Sequence, residues 1–231
     1  GLATLRKGHV RAVGTELRFD YPGKGGQRRV VTVGDPEVAD VVRALKRRRG
    51  GGPELLAYKN DRGHWVDVRS SDINDYLQRA LGPEFSAKDF RTWAATILAA
   101  VALAAQEQAD TERQRRTAVV RVVRRVAQVL GNTPAVARGS YVDPRVIERY
   151  ESGETVGEAL AAADVDVVVE TVLTDGNGSD DSGRDQGDDE VGALGAVPRK
   201  LLAEVDAAVV DLIERSPRRS VRVRRRRRAR G

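Results

Sequence analysis

Four separated groups in this 231-residue chain have the types needed to act together on one phosphodiester. They are Lys24 in the turn Gly23-Lys24-Gly25-Gly26, Arg91 in Lys88-Asp89-Phe90-Arg91-Thr92, Asn132 in Leu130-Gly131-Asn132-Thr133-Pro134, and Tyr141. A tyrosine hydroxyl can attack phosphorus when cationic and amide donors hold the charge that builds on the phosphate oxygens. The Arg91 guanidinium can clamp two of those oxygens, and the Asn132 amide can donate to a non-bridging one. An ammonium carried on a glycine-rich hairpin tip can enter a duplex groove and protonate a leaving 5′ oxygen. Each group also has a plain role. Tyr141 alone reads as packing, Asn132 as a helix cap before Thr133-Pro134, Arg91 as a surface partner of Asp89, and Lys24 as a solvated turn lysine. Only their conjunction argues for chemistry.

The elements that must position these groups are marked by periodicity and punctuation. Short alternating segments at 9–13, 17–21 and 29–33, separated by Gly14-Thr15 and by Pro22 to Gly26, predict a small antiparallel sheet. Asp35-Pro36-Glu37 opens a helix with Val38, Val41, Val42 and Leu45 on one side, stopped by Gly50-Gly51-Gly52. A second helix begins at Ser71-Asp72. Ser86 with Asp89 resembles a capping box and opens a strongly apolar helix to about Ala105, with Arg91 expected in its first turn, where backbone amides favour an anion. A long helix is predicted from Thr111 to Leu130, and shorter ones over 134–138 and 144–150. The turn and short helix between Asn132 and Tyr141 can aim both at one phosphate. The pattern as a whole predicts an α+β, mainly α fold: a helical body with a small N-terminal antiparallel β-sheet, followed by a disordered C-terminal region.

Composition sets the limits. With 40% hydrophobic residues the chain can fill a core, and with 4% aromatics that core must be mainly Val, Leu, Ile and Ala. The absence of cysteine excludes disulfides and thiolate metal sites, and His9 and His64 alone cannot form a zinc cluster. The longest apolar run, Ala94 to Ala105, is interrupted by Thr96 and falls short of the roughly twenty residues a bilayer requires. A soluble intracellular protein is expected. No methionine occurs, so Gly1 is not expected to be a natural start. Lys24 does not belong to a nucleotide-binding P-loop, because no Gly-x-x-x-x-Gly-Lys-Ser/Thr pattern is present and the lysine precedes a strand.

The net charge of +6 divides unevenly. Residues 1–150 carry 27 Lys and Arg against 17 Asp and Glu, whereas residues 151–231 carry 13 against 17. A basic body suits a polyanion, since neutralising phosphates releases counterions. Residues 175–192 are rich in Asp, Gly and Ser, with too little apolar content to offset the entropy of ordering. One short amphipathic helix is predicted around Leu201 to Leu212, and residues 218–230 are nearly all arginine. That tail is expected to stay disordered until it meets an anion, and electrostatic contact with nucleic acid is its functional reading.

Five motifs in order carry a resemblance: Gly1-Leu2-Ala3-Thr4-Leu5, Tyr21-Pro22-Gly23-Lys24, Ser71-Asp72-Ile73-Asn74-Asp75-Tyr76-Leu77, Lys88-Asp89-Phe90-Arg91-Thr92-Trp93, and Leu130 to Pro134 with Tyr141. Together they resemble the catalytic domain of type IB DNA topoisomerases, in the bacterial and poxvirus-like branch. The resemblance covers residues 1–153 and implies a tyrosine recombinase and topoisomerase IB catalytic-core fold that is incomplete at its N-terminus. Residues 154–192 are then an acidic linker, partly helical to disordered, and residues 193–231 a short helix with the arginine-rich tail.

The resemblance implies a mechanism. Tyr141 would form a 3′-phosphotyrosyl bond and free a 5′-hydroxyl strand that rotates before religation, with neither ATP nor a metal cofactor. Arg91 would stabilise the transition state, Lys24 would be the general acid, and Lys88 and Arg138 would bind DNA. Asn132 stands where many relatives have histidine, which implies hydrogen bonding without proton transfer. The family's first catalytic arginine and its N-terminal domain would lie upstream of Gly1. The partner implied is double-stranded DNA, with no nucleotide or membrane, and the protein is expected to be a monomeric, cytoplasmic, nucleoid-associated isomerase. The alternatives are a tyrosine recombinase or integrase, against which Lys88 to Thr92 argues, and a non-catalytic basic DNA-binding protein.

Overall fold

Alternation and glycine-bearing turns fold the first third of the chain as the pattern predicts. In the computed structural model, which describes residues 1–23, 26, 28–106, 109, 111–157 and 199–215, strands β1 (Val10–Val13), β2 (Glu16–Pro22) and β3 (Arg28–Gly34) pair antiparallel in that order. The β2–β3 register runs from Glu16 opposite Gly34 to Pro22 opposite Arg28, so residues 23–27 make the connection. Lys24, within it, lies outside the described residues. Helix α1 (Pro36–Arg47) starts at Asp35, whose carboxylate accepts from the amides of Glu37 and Val38 at 3.0 and 3.1 Å. Its Ala39 and Val42 close a small core with Leu5, Val10, Leu17 and Leu55.

A buried arginine organises the segment that follows. Arg48 caps α1, and its side chain, 1% exposed, donates to the carbonyls of Leu45 at 3.0 Å, Leu55 at 2.7 Å and Glu54. Its guanidinium carbon lies 5.6 Å from the centre of the Trp65 ring. Trp65 belongs to a second hairpin, β4 (Ala57–Lys59) with β5 (Trp65–Asp67). The sequence did not announce that hairpin, because three-residue strands are too short to display alternation.

The body is helical. Helices α2 (Ser70–Leu81), α3 (Ala87–Ala104), α4 (Glu112–Leu130), α5 (Pro134–Ser140) and α6 (Pro144–Glu151) lie within a few residues of their predicted limits. Their caps explain the agreement: Thr111 accepts from the Gln114 amide at 3.2 Å, Thr133 from Val136 at 3.3 Å, and Asp143 from Arg145 at 2.9 Å. Residues 95–103 of α3 are buried without interruption. They meet Val119, Val122, Val123 and Val126 of α4 and Val146, Ile147 and Tyr150 of α6 in the main core.

Helix α7 (Arg199–Glu214) is longer than the short amphipathic helix expected, and it packs on α3 and α6. Leu201, Val205, Val209 and Leu212 enter the main core. The acidic stretch 158–198 and the arginine-rich tail from 216 lie outside the described residues. Among the described residues no helix is long and apolar enough to cross a membrane.

The Arg48 network yields a stability test. Replacing Arg48 with alanine leaves the carbonyls of Leu45, Glu54 and Leu55 without this donor, and is expected to lower the unfolding free energy by about 2–4 kcal/mol. Urea denaturation reads the loss directly, and an unchanged midpoint would deny the arginine its organising role.

Candidate active site

Of the four predicted groups, Arg91, Asn132 and Tyr141 lie around the end of α4, and Lys24 lies outside the described residues. Gly131 adopts the left-handed conformation, with φ 64°, and closes the helix. Its amide donates to the Gln128 carbonyl at 3.0 Å, while the Asn132 amide reaches the Ala127 carbonyl at 2.8 Å. Two arginines from distant parts of the chain supply the remaining donors. Arg29 of β3 donates to the Val129 carbonyl at 2.9 Å and to that of Gln128 at 3.3 Å. Arg91 of α3 donates to the Leu130 carbonyl. A Cβ at residue 131 would meet the Arg29 guanidinium, which would have to shift, and the positive φ favours glycine there.

Arg91 and Tyr141 meet. The guanidinium carbon of Arg91 lies 5.2 Å from the centre of the Tyr141 ring, a cation over an aromatic face. Arg91 is exposed and Tyr141 half-buried. The plain alternative for Arg91, a pair with Asp89, does not occur in this form, because Asp89 turns back to Ser86 and accepts from its hydroxyl at 2.7 Å and its amide at 2.8 Å. The Ser86 hydroxyl, and then its amide, hold the Asp89 carboxyl below the usual carboxylate range.

The expectation that Arg91 sits in the first turn of α3 is corrected. The helix begins at Ala87, so Arg91 opens the second turn. The amide of Ala87 is answered by the Asn74 side chain at 3.0 Å, and Asp89, at the third helical position, accepts from the amide of the N-cap residue Ser86 at 2.8 Å.

The plain reading of Asn132 also changes. Thr133, not Asn132, caps α5. Asn132 Nδ2 is buried and has no hydrogen-bond partner among the described residues. A buried donor left unpaired is costly and calls for an explanation. Lys88 lies one turn before Arg91 on α3, and Arg138 is on α5; both are exposed.

Tyr141 is fixed from behind by a residue the sequence showed but left unassigned. Thr96, the polar interruption in the apolar run, is 1% exposed. Its hydroxyl bonds to the Thr92 carbonyl at 2.9 Å and the Tyr141 carbonyl at 3.4 Å, and accepts from the Asp143 amide at 3.1 Å. The Asp143 carboxyl is held below its ordinary range by the Arg145 guanidinium. A groove of about 660 Å³ runs beside Tyr141 between α3 and the α5–α6 turn, walled by Phe85, Phe90, Trp93 and Thr96. Arg29 was missed altogether, since no local signal links it to carbonyls a hundred positions away.

The family model described as the eukaryotic DNA topoisomerase I catalytic core matches residues 1–161. The chain belongs to this family. Over 157 residues it is 29% identical to DNA topoisomerase 1B of Acanthamoeba polyphaga mimivirus, covering 66% of this chain and 47% of the viral protein. The chain thus spans about half the length of the curated relative it matches. The match agrees with the type IB topoisomerase catalytic domain to which the five sequence motifs point. All of the converging groups just described lie inside the matched segment, and α7 lies outside it.

The turn after α4 can be tested without any substrate. Alanine at Gly131 must hold a positive φ and displace Arg29, so the variant is expected to lose at least about 1 kcal/mol of stability. Chemical denaturation measures it. A neutral outcome would mean that the turn tolerates a Cβ and that Arg29 does not press on it.

Proposed function

We propose that this chain supplies the catalytic domain of a type IB DNA topoisomerase, which relaxes supercoiled double-stranded DNA by breaking and rejoining one strand. The observation that carries the reading is the Arg91 guanidinium lying over the Tyr141 ring while it donates to the Leu130 carbonyl, two residues before Asn132, whose side-chain amide nitrogen is unpartnered among the described residues. Family membership supports it for the class of enzyme.

The Tyr141 oxygen attacks phosphorus as its proton passes to solvent water, a phosphotyrosyl bond forms to the 3′ end, and the P–O5′ bond breaks. Lys24 gives a proton to the departing 5′ oxygen. Arg91 and Asn132 hold the non-bridging oxygens as charge builds, and Lys88 and Arg138 bind flanking phosphates. Religation is the reverse, with the 5′ hydroxyl attacking. The broken bond is replaced by another phosphodiester of similar energy, so the cycle needs no nucleotide, and the cationic side chains serve where a metal would otherwise neutralise charge. Asn132 cannot shuttle protons and acts by hydrogen bonding alone.

In the full-length protein, Tyr141→Phe is expected to abolish plasmid relaxation while leaving DNA affinity within about twofold, because only the nucleophile is removed. Arg91→Ala should slow cleavage by about 10²–10³, the scale of one charged transition-state contact. Relaxation that survives Tyr141→Phe would instead favour a protein that merely coats DNA.

The arginines between Arg218 and Arg230 are read as phosphate contacts. Deletion after Pro217 should weaken duplex binding and reduce the slope of log affinity against log salt, by about 0.9 for each phosphate that the tail neutralises. An unchanged slope would leave the tail without a role in binding.

A further inference from the structure

Among the described residues, helix α7 makes a polar bond to a residue beside the candidate site. The Trp93 indole nitrogen donates to Asp206 Oδ1 at 3.1 Å, across 113 residues of sequence and in a half-buried setting. Trp93 stands two residues after Arg91 on α3, and it walls the groove that Tyr141 also lines. One turn further along, Thr96 holds the Tyr141 carbonyl and the Asp143 amide. The azimuth of α3 therefore sets Arg91 and the support of Tyr141 together. An indole packed against an apolar core has one polar atom, and a directional acceptor for it fixes the ring and with it the helix. Around that bond, Leu201, Val205, Val209 and Leu212 enter the core shared with α3 and α6. At the far end of α7, Glu214 is close enough to Arg145 to contribute to its raised pKa, though less than Asp143 does.

Resting on the proposed strand-cleavage reading, we infer that Asp206 is a positioning residue for that reaction: through Trp93 it holds α3 in the rotation that presents Arg91 to the phosphate and supports Tyr141. It lies outside the segment matched to the family. The helix that sequence reading groups with the arginine tail is then a working part of the catalytic body.

The test is single-turnover cleavage of a duplex oligonucleotide by the full-length protein, with DNA affinity and thermal melting measured beside it. Asp206→Leu is expected to slow cleavage about tenfold, the scale of one directional contact, with affinity unchanged. Asp206→Asn keeps an acceptor for the indole and should restore most of the rate. Trp93→Phe should show a similar loss on its own, and in that background Asp206→Leu should add nothing. The inference is overturned if Asp206→Leu cleaves at the parent rate, or if its loss is undiminished in the Trp93→Phe background. Should Asp206→Leu fail to fold, parent-rate cleavage by Trp93→Phe is equally fatal. Tyr141→Phe separates the two readings. If that variant still cleaves, the reaction itself is misassigned; if it is inactive while Asp206→Leu is unimpaired, only the positioning role fails.

Discussion

The last carbonyls of α4 have no partners within their own helix, and the candidate site is built around that deficit. Gly131 and Asn132 answer Gln128 and Ala127 through their backbone amides. Arg29 and Arg91 then supply guanidinium donors to Gln128, Val129 and Leu130. The C-terminal end of a helix carries partial negative charge, so cations are favoured there on electrostatic grounds as well. The consequence reaches across the molecule. The sheet that carries the Lys24 hairpin, the helix that carries Arg91, and the turn that carries Asn132 are all tied to one helix end.

The same tie shapes the electrostatics. Arg91 is anchored by one donor and stacked on Tyr141, yet its planar head has five N–H donors in all. An arginine held this way loses less rotamer freedom when it binds an anion than one free in solvent, which is the advantage of preorganisation. Asn132 complements it with a donor already withdrawn from water. On α4 the outward face carries exposed Arg113, Arg116, Arg121 and Arg124, so the body around the site is basic while its inner face is valine. Charge of that kind adds attraction for a polyanion without directing chemistry.

Much of this was legible in the sequence because caps are written in local residue pairs. Asp35-Pro36 and Ser86 with Asp89 each fixed a helix start to within a residue or so. Apart from the β4–β5 hairpin, whose strands are too short to show alternation, what failed around the site was mostly non-local. Asn132 read as a cap since either it or Thr133 could serve, and only the backbone path decides between them. The occupation of the α3 N-terminus by Asn74 requires knowing that the α2–α3 turn folds back. Arg29 sits in an arginine pair on a strand and gains meaning only from its register against Tyr21 and its reach to α4. For Tyr141 and Arg91, motif order brought them into one reading, but nothing in their spacing of fifty residues could give the ring contact.

One non-local fact was within reach. Helix α3 has nine consecutive buried residues, from Ala95 to Leu103, and a helix apolar on every side must be covered on every side. Helices α4 and α6 cover part of it, and α2 touches it near the Asn74 joint. The remaining side is met by α7, with Val205 and Val209 wholly buried. The apolar spacing of Leu201, Val205, Val209 and Leu212 matches that need. A boundary drawn where motif resemblance ends therefore cuts through the hydrophobic core. The physical unit is set by what α3 requires to stay dry, and that unit includes the helix after the acidic segment.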